Sequence, residues 1–159
     1  MEQRGGNSIM KSRLVVTPNR CIGCRTCELA CSFNHAIDGK PGRSRIFVMG
    51  GGFKDLWVPV TCLQCDDAAC VKSCLVGALR RNEETGAIEL NQDKCVKCMA
   101  CTAACPFGCS IYDSGQDQVV KCDLCGGDPA CARFCPTKAL EYKPIAQVKP
   151  AQVKVKAVG

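Results

Sequence analysis

The sequence predicts an α+β fold of short strands and short helices arranged in an internal repeat. Two observations predict it. Sixteen of the 17 cysteines fall into four quartets that all end on the same spacing, and the segments between quartets carry strand and turn signals rather than long amphipathic periods.

The quartets are Cys21, Cys24, Cys27 and Cys31; Cys62, Cys65, Cys70 and Cys74; Cys95, Cys98, Cys101 and Cys105; and Cys122, Cys125, Cys131 and Cys135. Only Cys109 is left over. In each quartet two residues separate the first pair and three separate the last pair. Cysteines at i and i+4 share one face of a helical turn, so each quartet predicts a ligand loop running into a short helix. Pro106 and Pro136 are expected to stop two of these helices. Between the quartets, Asp55 to Thr61 predicts a strand and Arg80 to Leu90 a hairpin turning at Glu84-Thr85-Gly86. Asp38 to Arg45 and Gly50 to Gly52 are loop sequences. Residues 143–159 hold two prolines and four lysines with no helical period, which predicts an extended or disordered tail.

Composition bounds the function. The N-terminal residues contain no sustained apolar segment, no export signal and no run long enough to span a membrane, so a cytoplasmic protein is expected. In that reducing compartment dense cysteine predicts metal binding rather than disulfides. The formal charge of +6 suggests nucleic acid only while every cysteine is counted as neutral. Sixteen thiolates holding four [4Fe-4S] cores add roughly −8, leaving a total of about −2 and no expectation of a nucleic-acid partner.

The spacing selects among metals. A C-x2-C-x2-C loop wraps one side of a cubane and satisfies three of its irons, while the fourth cysteine is carried toward a neighbouring cluster. The third quartet matches this run in full, ending in Cys105-Pro106. Zinc also uses C-x2-C, but structural zinc sites pair two such knuckles and do not need a third cysteine three residues on. A protein of several zinc sites therefore ranks well below iron and sulfur. Cys109 reads as a buried, inert thiol. His35 reads as a cap or surface residue, and the loop with Lys40, Arg43 and Arg45 as a solvated face. With no P-loop, no dinucleotide fingerprint and no activated nucleophile, the chain carries cofactors without a substrate site. That combination predicts electron transfer rather than catalysis.

Three stretches carry a resemblance: PVTCLQCDDAACVKSC from Pro59 to Cys74 with GAL at Gly77 to Leu79; KCVKCMACTAACPFG from Lys94 to Gly108; and KCDLC at Lys121 to Cys125 with PACARFCPTKAL from Pro129 to Leu140. Across about residues 14–142 the chain resembles the four-cluster ferredoxin-type subunits of DMSO reductase, formate dehydrogenase, hydrogenase, carbon monoxide dehydrogenase and tungsten aldehyde oxidoreductase complexes. The resemblance implies two ferredoxin-like lobes with nested pairing, residues 14–54 plus 110–142 forming one and residues 55–109 the other. It implies four [4Fe-4S] clusters: A on Cys21, Cys24, Cys27 and Cys135; B on Cys122, Cys125, Cys131 and Cys31; C on Cys62, Cys65, Cys70 and Cys105; and D on Cys95, Cys98, Cys101 and Cys74. It further implies a catalytic partner, with a molybdenum or tungsten enzyme favoured, and a flavin or other acceptor subunit or a second copy of the chain beyond it. A hydrogenase or carbon monoxide dehydrogenase partner, or a free polyferredoxin, is the alternative. Ser32 and Leu75 stand where the simple ferredoxin run has proline, and Lys97 where it has glycine.

Overall fold

Among the described residues every strand is three to five residues long and pairs with a single partner, so the fold is α+β with four separate antiparallel ladders. The computed structural model describes residues 12–50 and 56–148. In chain order the elements are β1 (Ser12–Val16), α1 (Thr26–Asn34), β2 (Phe47–Gly50), β3 (Trp57–Val60), α2 (Ala69–Lys72), β4 (Leu79–Arg81), β5 (Ile88–Leu90), α3 (Ala100–Ala104), β6 (Ser110–Asp113), β7 (Gln118–Lys121), α4 (Ala130–Arg133) and β8 (Leu140–Pro144).

The pairing is nested. β1 pairs with β8, placing Leu14 opposite Tyr142 and Val16 opposite Leu140, so the first and last strands close on each other. α1 packs on α4, and α2 packs on α3. The expected hairpin forms as β4 and β5, with the Asn82 side chain accepting from the Glu84 and Thr85 N–H groups to fix the turn. The strand expected at Asp55 to Thr61 is β3, narrowed to Trp57–Val60 and paired with β2; Asp55, Gly51 and Gly52 lie outside the described residues. Lys143 and Pro144, expected to open the tail, belong to β8 and face Arg13 and Ser12. Residues 149–159 of that tail lie outside the description.

Two hairpins sit across the boundaries expected for the lobes. Val48 of β2 and Trp57 of β3 pack with Cys27, Cys31, Cys131 and Cys135. Val119 of β7 and Tyr112 of β6 pack with Cys70, Cys101, Leu79 and Ile88. A third apolar cluster gathers Cys62, Cys109, Cys122 and Leu124 and shares Leu14 and Tyr142 with the first. Trp57, the sole tryptophan, lies flat on Gly23 and Gly50, where a Cβ at either glycine would run into the indole ring.

Candidate metal centres

The repeat recurs in the backbone. The residue just before the second cysteine takes a left-handed conformation in every quartet: Gly23 (φ 71), Gln64 (φ 53), Lys97 (φ 55) and Leu124 (φ 56). This twist bends the C-x2-C segment at the same point in every repeat. Glycine takes it freely, while Lys97 and the others do so at a cost of roughly 1 kcal/mol. The replacement of glycine by lysine thus leaves the loop unchanged.

The third cysteine lies on a helix in each quartet, Cys27, Cys70, Cys101 and Cys131 being buried on α1 to α4. The fourth was expected on the same helix. Only α1 is long enough to carry it, at Cys31. Cys74, Cys105 and Cys135 instead follow the helix ends. Pro106 pushes Cys105 to an extended conformation (ψ 111), which terminates α3. A shared turn follows these three cysteines: Gly77, Gly108 and Lys138 are left-handed and donate their N–H back to the Cys74, Cys105 and Cys135 carbonyls. The next N–H then points at sulfur, from Ala78 to Cys74 Sγ at 3.2 Å and from Cys109 to Cys105 Sγ at 3.3 Å. Leu75 supports this turn as well as proline does. Ser32 does not form it, and the Arg45 N–H serves Cys31 Sγ instead, at 3.3 Å.

These donors stabilise thiolate. Burial pushes the Cys105 and Cys135 thiols up, but the N–H groups that follow outweigh it and hold both below the usual range. Cys31 is likewise lowered, His35 and the Arg45 N–H overcoming burial. Burial wins elsewhere and pushes Cys27 up to about 11 and Cys122 up to about 12.

The quartets are brought together across the chain. Cys27 is a charge neighbour of Cys135, and Cys21 packs in the same cluster. Cys131 neighbours Cys122, Cys125, Cys31 and Cys27. Cys62, Cys65, Cys70 and Cys105 line one cavity. Cys101 packs in one apolar cluster with Cys74 and Cys95. Cys24 and Cys98 are the two exposed thiols.

The donor set fits a cube better than a single ion. No three cysteine sulfurs among the described residues lie within 4.8 Å of one another, whereas Zn–S bonds of 2.3 Å would hold four thiolates at a mutual distance of about 3.8 Å. Thiols that share a cavity at wider spacing suit ligands standing off the corners of a cubane.

Cys109 is 1% exposed, and burial pushes it up to about 12, consistent with an inert thiol. His35 caps α1, its Nδ1–H donating to the Cys31 carbonyl at 2.9 Å, while its Nε2 faces Asp123 at 3.4 Å. Arg45 is not part of a solvated face: it reaches Asp123 at 2.9 Å and so ties the first quartet to the fourth. Sequence reasoning missed Gln64 and Lys121, both buried against the quartets. Their only signal was a polar residue inside or beside a C-x2-C pair.

The 4Fe-4S dicluster domain model matches residues 53–144, and a 4Fe-4S binding domain model matches residues 18–34. The chain belongs to the 4Fe-4S dicluster family. It is 43% identical over 124 residues to the polyferredoxin-like subunit of aliphatic sulfonate oxidoreductase from Pyrococcus furiosus, covering 77% of this chain and 70% of that protein. It is 31% identical over 162 residues to the B subunit of anaerobic dimethyl sulfoxide reductase from Escherichia coli, covering 91% of this chain and 78% of that protein. This dicluster protein is a ferredoxin-type electron-transfer subunit that binds [4Fe-4S] clusters and is not the catalytic subunit of its complex. Among the described residues no helix is long and apolar enough to cross a membrane.

Proposed function

We propose that the chain holds four [4Fe-4S] clusters on sets A to D in two lobes, the first and fourth quartets forming one and the second and third the other. The nested packing of α1 on α4 and α2 on α3 carries this reading. The sets form a line. Cys27 of A neighbours Cys131 of B, Cys122 of B neighbours Cys62 of C, and Cys70 of C packs with Cys101 and Cys74 of D. The two exposed thiols, Cys24 and Cys98, belong to A and D at the ends. When bound, the clusters take up and release single electrons, and the protein supplies spacing, N–H···S bonds and exclusion of water.

One end of this line docks a catalytic subunit and the other serves an acceptor subunit, a soluble carrier or a second copy. Each end has an apolar rim, Ile22, Leu29 and Phe33 beside A and Leu75, Val96 and Met99 beside D. A molybdenum or tungsten oxidoreductase is the favoured partner, in the cytoplasm. Both relatives are named for oxidised organic sulfur compounds, a sulfonate and a sulfoxide, which makes that class the first substrate to test with the complex.

Anaerobically purified protein is expected to hold about sixteen iron atoms per chain, with matching sulfide. Stoichiometric zinc without visible absorption would overturn the assignment. Affinity purification under the same conditions identifies the partner, and recovery of a catalytic subunit lacking molybdenum and tungsten would reject that part.

A further inference from the structure

One thiol set contains a buried cation that no carboxylate neutralises. Lys121, the last residue of β7, is 4% exposed, and its Nζ donates to Cys62 Sγ at 2.7 Å. Cys70, Cys105 and the unligated Cys109 are also its charge neighbours, and it lines the same cavity as the four thiols of set C. Among the described residues no carboxylate pairs with it. Several other cations near the quartets are neutralised: Arg20 by Glu141, Arg45 by Asp123, Lys97 by Asp117 and Arg133 by Asp128. The position before the first cysteine is Arg20, Thr61, Lys94 and Lys121 in the four repeats, and only the last of its three cations is turned inward. Arg81 adds a second positive charge behind set C, its guanidinium donating to the Cys65 carbonyl and to the Gly86 carbonyl.

Burying a lone ammonium costs several kcal/mol. Here the ammonium lies 2.7 Å from a ligand sulfur, and the negative charge that ligand thiolates bring to the site compensates it. A fixed positive charge touching a ligand sulfur favours whichever state of the site carries one more negative charge, and that is the reduced state. One electron enters and one leaves, with no proton transferred.

We propose that Lys121 raises the potential of the cluster on Cys62, Cys65, Cys70 and Cys105 above those of the other three, making it the electron well of the relay. This rests on the ligand sets given above. An electron arriving from either exposed end then comes to rest on this interior cluster, which lies between B and D.

The test is an EPR-monitored redox titration of the anaerobic holoprotein and of Lys121→Gln, Lys121→Arg and Cys62→Ser variants, each with iron counted. Lys121→Gln is expected to keep its iron and to lower the highest midpoint potential while the other three stay in place. Lys121→Arg, which keeps the charge, is expected to stay close to the parent. Cys62→Ser is expected to alter the spectrum of the same cluster. An unchanged highest potential in the iron-replete Gln variant overturns the proposal. Should that variant lose iron, an Arg variant whose highest potential drops to the level of the others overturns it as well. If Cys62→Ser and Lys121→Gln mark different clusters, the ligand set is wrong rather than the electrostatics.

Discussion

Gln64 sits between Cys62 and Cys65, 2% exposed, with its side chain turned toward the fourth quartet. Its Nε2 donates to the Cys122 carbonyl at 2.8 Å, and its Oε1 accepts the Ile88 N–H at 2.8 Å. These two bonds join the second quartet to the fourth and to β5. Leucine already occupies the matching position in the fourth quartet: Leu124 is fully buried with φ 56, close to the φ of 53 at Gln64. A Gln64→Leu change therefore keeps the backbone and nearly all the volume. It leaves one buried carbonyl and one buried N–H without partners. Each unmatched group costs about 1–3 kcal/mol, so the expected loss is about 2–6 kcal/mol. At this chain length that corresponds to a fall in Tm of about 4–24 °C. Anaerobic thermal unfolding, followed by loss of the visible cluster absorption in iron-replete protein, measures it. A variant that unfolds within a degree or so of the parent would refute the claim that Gln64 clamps the two halves.

Three further outcomes are expected. Cys31→Ala should expose the fourth quartet to protease as well as the first, and Cys74→Ala the third as well as the second; cleavage confined to the mutated quartet argues against shared clusters. Gly23→Ala forces a left-handed residue (φ 71) and sets a Cβ 2.5 Å from the Trp57 ring, costing about 1–3 kcal/mol. Emission from the sole tryptophan reads the displacement directly, and an unchanged spectrum with parental stability removes the argument. Leu140→Ala, at a side chain 1% exposed, should cost about 2–5 kcal/mol and speed amide exchange in β1, its partner strand.

What was legible in the sequence was local. The quartets, the hairpin around Asn82 and the helix stop at Pro106 each depend on residues within about ten positions of one another, whereas α4 ends at Arg133, ahead of Pro136. What was missed depends on residues far apart. The β1 and β8 ladder joins Ser12 to Pro144, and neither segment has a strong strand signal by itself. Arg45 looked solvated because Asp123 is 78 residues away. Lys97 stands where glycine is usual, and nothing local shows that it takes the same left-handed conformation, at a cost of roughly 1 kcal/mol, because the surrounding turn imposes it. Lys121 gave no sign of facing inward, since Arg20 and Lys94 occupy equivalent positions in solvent.

The buried interior explains why the fold and the cofactor belong together. Among the described residues nine cysteines are buried, against eight branched aliphatic side chains, and no aromatic ring is. Thiols are small, so this core contributes little apolar area for the backbone it must hold in place. Burial also pushes Cys27, Cys122 and Cys131 up, so without metal these groups are neutral at physiological pH. Metal binding must displace those protons, and the free energy of forming iron–thiolate bonds then appears as folding free energy. The fourth cysteines differ because they are supplied with N–H donors by the turn that follows or, for Cys31, by Arg45. Cys31, Cys105 and Cys135 are thus held low by their hydrogen-bond donors, while the buried Cys27, Cys122 and Cys131 must give up their protons to a metal. If the proposed ligand sets hold, that division makes Cys31, Cys105 and Cys135 the first points of attachment between paired quartets.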